Sequence, residues 1–358
     1  MNTSVQIFKE LDEALFFWLD DRGGLIYESP AYLLFLKQLL NCEICYLVSK
    51  NEFSDICGVL PVAVSQHARL GTVANSLPFY GSYGGIILDQ NLSDTLKNQI
   101  RGDLISSLNR MAHQELWTAQ TLIAGPLDPS TKWYESHLEY DYKDFRIGQL
   151  TDLPSPEDNV AEALLSHFED PRPRNIRRAQ KAGINIAPTQ DPLALSFLYE
   201  VHCANMNKIG GLAKPKLFFD LIPKLFSQEQ YKVYVAEKEG KPIAALLLLY
   251  GGGVVEYFVP ATIWEYRNDQ PLSLLIFEAM KDASNEGFQT WNWGGTWATQ
   301  DGVYHFKKKW AARDIRYFYY TKIHDAKVLM ETRETLLSAH PFFYVAPFSE
   351  LKLCSDKD

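Results

Sequence analysis

Residues 231–260 read YKVYVAEKEG KPIAALLLLY GGGVVEYFVP. Runs rich in Val, Ile, Leu and Tyr at Tyr231 to Lys238, Pro242 to Tyr250 and Val254 to Pro260 predict three strands. Glu239-Gly240-Lys241 and Gly251-Gly252-Gly253 are the turns between them. Connections this short make an antiparallel meander, because parallel neighbours need a longer crossover. Downstream, Pro271 to Asn285 predicts a helix stopped by Gly287. Thr290 to Trp293 is then a short aromatic strand ending in Gly294-Gly295, and Ile315 to Ile323 a last aromatic strand. Upstream lie helical patterns at Val160 to Phe168, Arg174 to Ala182, Leu193 to Asn207 and Leu217 to Ser227. Helices, meander, helix and strand together describe one mixed α/β domain.

The first half has similar content. Ser29 to Leu40 and Ser93 to Trp117 carry helical periodicity, with Ser93 placed as an N-cap. Glu43 to Ser49, Asp55 to Ser65, Tyr83 to Leu88 and Thr121 to Ala124 predict strands. The turn-rich stretch Thr151 to Asn159 is the linker candidate, giving domains 1–153 and 154–358. Both halves end a strand in glycine, at Ala124-Gly125-Pro126 and Trp293-Gly294-Gly295, which hints at a diverged internal duplication.

Composition narrows the classes. With 358 residues, 46% hydrophobic and 22% charged, the chain is globular and long enough for two domains. A net charge of -9 argues against a general nucleic-acid binder and against DNA as a partner, so a polyanion has to meet a local patch. Cys42 and Cys45 form a C-x-x-C without a second cysteine or histidine pair at metal spacing, which reads as reduced thiols rather than a metal site. The N-terminus lacks a basic region and cleavage site, and no apolar run reaches the ~20 residues of a membrane span. A soluble, cytoplasmic protein is expected. Nucleophile elbow, phosphate loop and zinc motif are all missing from the sequence.

The chemistry-bearing stretch is Gln289 to Trp310. Its glycine pair, Gly294 and Gly295, leaves backbone open beside a ligand. The segment that follows brings Lys307 between Phe306 and Trp310, and a cation there suits a developing negative charge. The alternative for Lys307 is a surface lysine in a basic run with Lys308 and Lys309. Arg174, Arg177, Arg178 and Lys181 recur at helical spacing and share one face. That stripe suits a diphosphate, or else is a solvated face paired with Glu169 and Asp170. Glu256 is a candidate acceptor for an amine proton and Tyr257 a candidate substrate contact, and alternation sends them to opposite faces. Tyr80 and Tyr83 are candidates from the first domain, with an aromatic turn as the alternative.

These blocks, in this order, resemble the Fem-type peptidyltransferases and their relatives within the GNAT-like acyltransferase superfamily. The resemblance rests on Arg174 to Gly183, Gly240 to Ala245, Val255-Glu256-Tyr257 with Pro260-Ala261, the helix from Pro271, the Gly294-Gly295 strand end, and Gly302-Val303 leading into Phe306-Lys307. Leu77 to Gly85 adds to it in the first half. The resemblance implies an α/β (α+β) fold of two tandem GNAT-like domains, each a mixed, largely antiparallel sheet flanked by helices. It implies a substrate groove, with Phe306 and Lys307 at the reaction centre, and Asn292 and Trp293 are further substrate-binding candidates. Asn292 stands where relatives often have aspartate, and Lys208 in a loop where they often have a substrate arginine. The coenzyme A loop of GNAT proteins is glycine-rich, whereas Arg267 to Leu272 holds no glycine.

The resulting expectation is an N-acyltransferase or aminoacyltransferase acting on an amine of a cell-envelope precursor, a peptide or amino sugar. No cofactor is expected to stay bound. The acyl donor is a co-substrate, either aminoacyl-tRNA or acyl-CoA, and the acceptor a candidate nucleotide-linked cell-wall precursor. The alternatives are an acyl-thioester enzyme acting on a small amine or sugar, and an inactive relative that binds a nucleotide-sugar or peptide.

Overall fold

The computed structural model describes residues 2–78, 83–157, 159–296 and 300–351. The chain forms two compact units. One comprises Met1–Arg22, Tyr27–Arg146 and Arg316–Asp358, the other Gly23–Ile26 and Ile147–Ile315.

The first unit contains strands β1 (Thr3–Phe8), β2 (Glu43–Asn51), β3 (Ile56–His67), β4 (Gly71–Asn75), β5 (Ile87–Leu88) and β6 (Ala119–Ile123). Its helices are α1 (Glu13–Asp20), α2 (Pro30–Leu40), α3 (Asp94–Gln114) and α4 (Thr131–His137). Strands β1 to β4 pair antiparallel in chain order. Helix α3 then crosses over, and β6 lies parallel to β4, with Val73 opposite Ala119. Ser93 caps α3 through the Leu96 amide at 3.4 Å. The helix buries Ile100, Leu104, Ile105, Leu108 and Met111 against Leu47, Leu60 and Val62. The strand expected over Tyr83 to Leu88 shrinks to Ile87–Leu88. A Cβ on Gly84 would sit 1.6 Å from the Ser76 carbonyl oxygen, so backbone packing holds this segment off a ladder.

The second unit repeats that plan. Strand β7 (Tyr142–Asp152) enters it at Ile147, and helices α5 (Val160–His167) and α6 (Arg172–Lys181) lead to the edge strand β8 (Asn185–Thr189). Helices α7 (Pro192–Ile209) and α8 (Lys216–Leu225) precede the meander β9 (Tyr231–Lys238), β10 (Lys241–Gly251) and β11 (Val254–Thr262). Both hairpin turns have positive φ at both central residues, Glu239 (54°) with Gly240 (72°) and Gly252 (58°) with Gly253 (73°). That geometry matches the right-handed strand twist. Strand β10 is buried from Ile243 to Tyr250 because helices cover both of its faces. Ala244, Leu246, Leu248 and Tyr250 join the core under helix α9 (Pro271–Asn285), while α7 packs against the same strand. Helix α9 is the crossover to β12 (Thr290–Thr296), which runs parallel to β11 and antiparallel to β7. Helix α10 (Asp301–Lys308) follows. The last strand, β13 (Arg313–Ile323), returns to the first unit and pairs antiparallel with β6, with Tyr319 opposite Ile123. Helix α11 (Arg333–Ala339) follows it.

Meander, crossover helix, parallel strand and closing antiparallel strand thus occur in both units. The fold is mixed α/β with largely antiparallel pairing, as expected from the sequence.

Candidate active site

Strands β11 and β12 pair only from Val254 opposite Thr290 to Glu256 opposite Asn292. Beyond that point β11 continues to Thr262 and β12 to Thr296 without a shared ladder. The strands part, and each keeps its other neighbour, β10 or β7. The resulting gap has main chain along its edges.

At the mouth of the gap, β12 bulges between Asn292 and Gly295. Gly294 adopts φ 72°, a left-handed conformation that glycine adopts without Cβ strain. Asn292 fixes the bulge. Its Oδ1 accepts from the Gly294 amide at 2.9 Å, and its Nδ2 donates to Glu256 Oε1 at 3.2 Å. Asn292 and Glu256 are both buried. An amide serves as donor and acceptor at once, whereas an aspartate here would set a second carboxylate against Glu256. Asparagine therefore suits this position, where the resemblance leads us to expect aspartate.

Alternation turns Trp293 to the opposite face of the sheet from Asn292. Its indole Nε1 donates to Thr151 Oγ1 at 2.9 Å, and Thr151 Oγ1 donates to the Trp310 carbonyl at 2.9 Å. Tyr257 (4.9 Å), Phe306 (6.2 Å) and Trp310 (5.9 Å, between ring centroids) surround Trp293. Glu256 and Tyr257 therefore face opposite ways, as their neighbouring positions on β11 require. Tyr257 is half-buried, and burial pushes its phenol pKa up, with Arg172 opposing the shift.

Lys307 lies in the last turn of α10 and is 6% exposed. Its ammonium donates to Thr296 Oγ1 at 2.8 Å and to the Gly295 carbonyl at 3.3 Å. Thr296 Oγ1 in turn donates to Gln149 Oε1 at 3.4 Å, and the Gln149 amide reaches the Tyr304 carbonyl at 3.3 Å. Among the described residues no carboxylate pairs with Lys307. Burial lowers its pKa to about 8.

Arg172, which the sequence reading passed over, is buried beside this cluster. Its guanidinium carbon lies 4.3 Å from the Phe306 ring centroid and 5.1 Å from that of Trp310, and Nη2 donates to the Phe306 carbonyl at 3.1 Å. Its Nε has no partner among the described residues. Thr296 and Gln149 were missed as well.

The structure thus gathers Glu256, Tyr257, Asn292, Trp293, Gly294, Gly295, Phe306 and Lys307 around the end of β12. Other candidates lie elsewhere. Arg174, Arg177, Arg178 and Lys181 are exposed on α6 and form no ion pair among the described residues, whereas Arg172, Ile176 and Ala179 make its buried side. Lys208 is exposed, with its ammonium 4.0 Å from the Trp264 ring centroid. Tyr83 is buried in the first unit, stacked on Tyr27 at 3.9 Å. Tyr80 lies outside the described residues.

Comparison with known proteins bears on this arrangement. Residues 173–308 match the family model described as an acetyltransferase (GNAT) domain. Over that stretch the chain is similar to a GNAT acetyltransferase domain. The crystal structure of FemX is similar, with TM-score 0.67 and 14% identity over 87% of this chain and 96% of that one. The C-terminal domain (DUF2156) of a putative lysylphosphatidylglycerol synthetase from Agrobacterium fabrum aligns with TM-score 0.53 and 13% identity, over 84% of this chain and 90% of that one. A tandem GNAT protein from the clavulanic acid biosynthesis pathway aligns with TM-score 0.53 and 11% identity, over 90% and 99%. No curated protein matches.

The GNAT match covers the meander, the gap and Lys307, and it places this domain among the acyltransferases. The glycine-free segment Arg267 to Leu272 takes in the end of a 3-10 turn, Trp264–Asp269, then Gln270 at φ 62° and the start of α9 at Pro271. Among the described residues no helix is long and apolar enough to cross a membrane, and no group of His, Cys, Asp and Glu is placed to hold a metal ion. Burial raises the Cys42 and Cys45 thiols to about 11, which keeps them protonated at neutral pH.

Proposed function

We propose that this chain transfers an acyl or aminoacyl group from an activated ester or thioester to an amine of a cell-envelope precursor, a peptide or amino sugar. The observation that supports it is the buried Lys307 ammonium, without a carboxylate partner among the described residues, beside the Gly294 bulge and the gap between β11 and β12. In this reading the donor carbonyl lies in the gap and a neutral amine attacks its carbon. A C–N bond forms, and the carbonyl π pair moves onto oxygen. The Lys307 ammonium stabilises that oxyanion, for which one well-placed donor is worth about 3 kcal/mol. Collapse breaks the bond to the alcohol or thiol, and the surplus amine proton ends on the leaving group or in solvent. Phe306 walls the pocket with Trp293. The basic stripe of α6 takes a phosphate of donor or acceptor. The envelope acceptor is suggested by the likeness to FemX and to the synthetase domain.

The acetyltransferase description of the matched domain favours a second reading, an acyl-thioester donor with a small amine or sugar acceptor. One experiment tests both. The purified protein is incubated with aminoacyl-tRNA or acyl-CoA and a nucleotide-linked amino sugar or its peptide derivative, and acylated product is followed by mass spectrometry. Transfer by the native chain and its loss in a folded Lys307→Ala variant is the expected result. Full turnover by that variant overturns the role of Lys307, and ligand binding without product from any donor makes the chain a binding protein.

A further inference from the structure

A second surface of the unit that holds Lys307 combines exposed apolar side chains with basic ones. Helix α7 ends at Ile209, Gly210 turns the chain at φ 69°, and an irregular segment leads to α8. Along it Ile209 is 65% exposed and Leu212 78%, and Leu217 is exposed at the start of α8. Trp264, 39% exposed, lies under the ammonium of Lys208, the residue before Ile209. Asn205 Nδ2 ties α7 to the end of β11 by donating to the Thr262 carbonyl at 3.1 Å.

Cations are interleaved with these apolar groups. Lys208 and Arg267 each lie 4.0 Å from the Trp264 ring centroid. Neither has a carboxylate partner among the described residues. Lys216, exposed next to Leu217, pairs with Asp220 on the same helix at 3.9 Å and is not counted among them. Helix α6, with its exposed basic stripe, packs against the Trp264–Asp269 turn. Two like charges on one half-open indole repel each other, and the ring face offsets only part of that in water. An anion arriving from outside would relieve it. Free phosphate would satisfy the cations but leaves Ile209 and Leu212 in water. A surface that answers both is the headgroup layer of an anionic bilayer. There tryptophan sits at the interface, lysine and arginine reach phosphates while their stems cover apolar surface, and aliphatic side chains enter the acyl boundary.

We propose that Lys208 to Leu217, with Trp264 and Arg267, docks this protein on the surface of an anionic phospholipid bilayer without spanning it. The proposal does not rest on the acyl-transfer reading, and its test needs no turnover. The full chain is co-sedimented with vesicles of phosphatidylcholine alone or with about one third phosphatidylglycerol, at low and high salt. Binding to the anionic vesicles should exceed binding to the neutral ones at least tenfold and weaken with salt. I209D/L212D and K208E/R267E, both checked for an unchanged melting temperature, should each lose most of it. Equal binding to both vesicle types, or wild-type binding by the folded I209D/L212D variant, overturns the proposal. So does binding to polyglutamate as tight as to vesicles and sensitive to K208E/R267E alone, which would mark an acidic polypeptide as the partner.

Discussion

The Lys307 ammonium lies 2.8 Å from Thr296 Oγ1, a neutral hydroxyl, in a place where burial disfavours its charge. The folded-state pKa, about 8, is below the free lysine value, so the ammonium starts to lose its proton near the upper physiological range. If charged Lys307 stabilises the oxyanion, kcat should fall as pH rises through about 8. Deprotonation of the acceptor amine would oppose this on the acid side, giving a bell. A Lys307→Arg variant that retains turnover should lack the alkaline fall, because guanidinium stays charged. A descending limb unchanged in that variant would assign it to another group.

The same shift is a stability statement. Between about pH 8 and the ordinary lysine pKa the unfolded chain holds more protons than the folded one, so this residue's contribution to stability rises with pH there. Lys307→Met removes the buried charge but leaves Thr296 without its donor. A net gain on the order of 1 kcal/mol at pH 7 is expected, shrinking as pH approaches 10. Urea unfolding of the two proteins at pH 7 and 9.5 checks it.

Thr296 and Gln149 hold the lysine in place. Thr296→Val deletes the 2.8 Å acceptor and should lower kcat roughly tenfold, by the ~1–2 kcal/mol of a hydrogen bond to a charged group, with KM little changed. Thr296→Ser should restore it. Gln149→Leu acts one bond further away and should cost less. Steady-state kinetics with a KM-against-kcat split separates this from a packing defect, which serine would also leave uncorrected at the lost methyl.

The meander was legible because its turns and the unbroken apolar run of β10 are local signals. Edge strands were not. In β8 only Ile186 and Thr189 are even half-buried, and Pro188 interrupts it, so no alternation marks it. Lys307 and Phe306 were found through the resemblance, and Asn292 through its departure from it. Thr296 and Gln149 meet only because β12 pairs with β7, across a sequence separation no motif spans. Arg172 did carry a signal. It stands four and seven residues before Ile176 and Ala179 on the helix's buried face, opposite the basic stripe that drew attention.

Asn292→Asp tests the bulge. A carboxylate at this site would face the buried Glu256 across about the present 3.2 Å, and two such groups cannot both ionise cheaply. The pair's apparent pKa should be raised above the unfolded value. Stability relative to the native chain is then expected to be near normal at pH 5 and lost as pH rises toward 7, by roughly 2–4 kcal/mol. Asn292→Asp combined with Glu256→Gln should recover most of it. Thermal unfolding across that range is the measurement, and a pH-independent loss would point to strain in the bulge instead.

Arg172 poses the sharpest question of purpose. A guanidinium that, among the described residues, has one hydrogen bond, two aromatic faces and an unpartnered Nε is an expensive way to join α6 to α10. Burial lowers its pKa, yet arginine remains charged at physiological pH. A methionine of similar reach would fill the space between Phe306 and Trp310 without that desolvation. Arg172→Met should therefore be neutral or stabilising by about 1 kcal/mol in chemical denaturation. If the charge is kept for an anionic part of the substrate beside Phe306, the variant should also raise KM by an order of magnitude or more with a smaller change in kcat, and Arg172→Lys should recover only part of it. A variant that gains stability and keeps KM would reduce Arg172 to a strut between two helices.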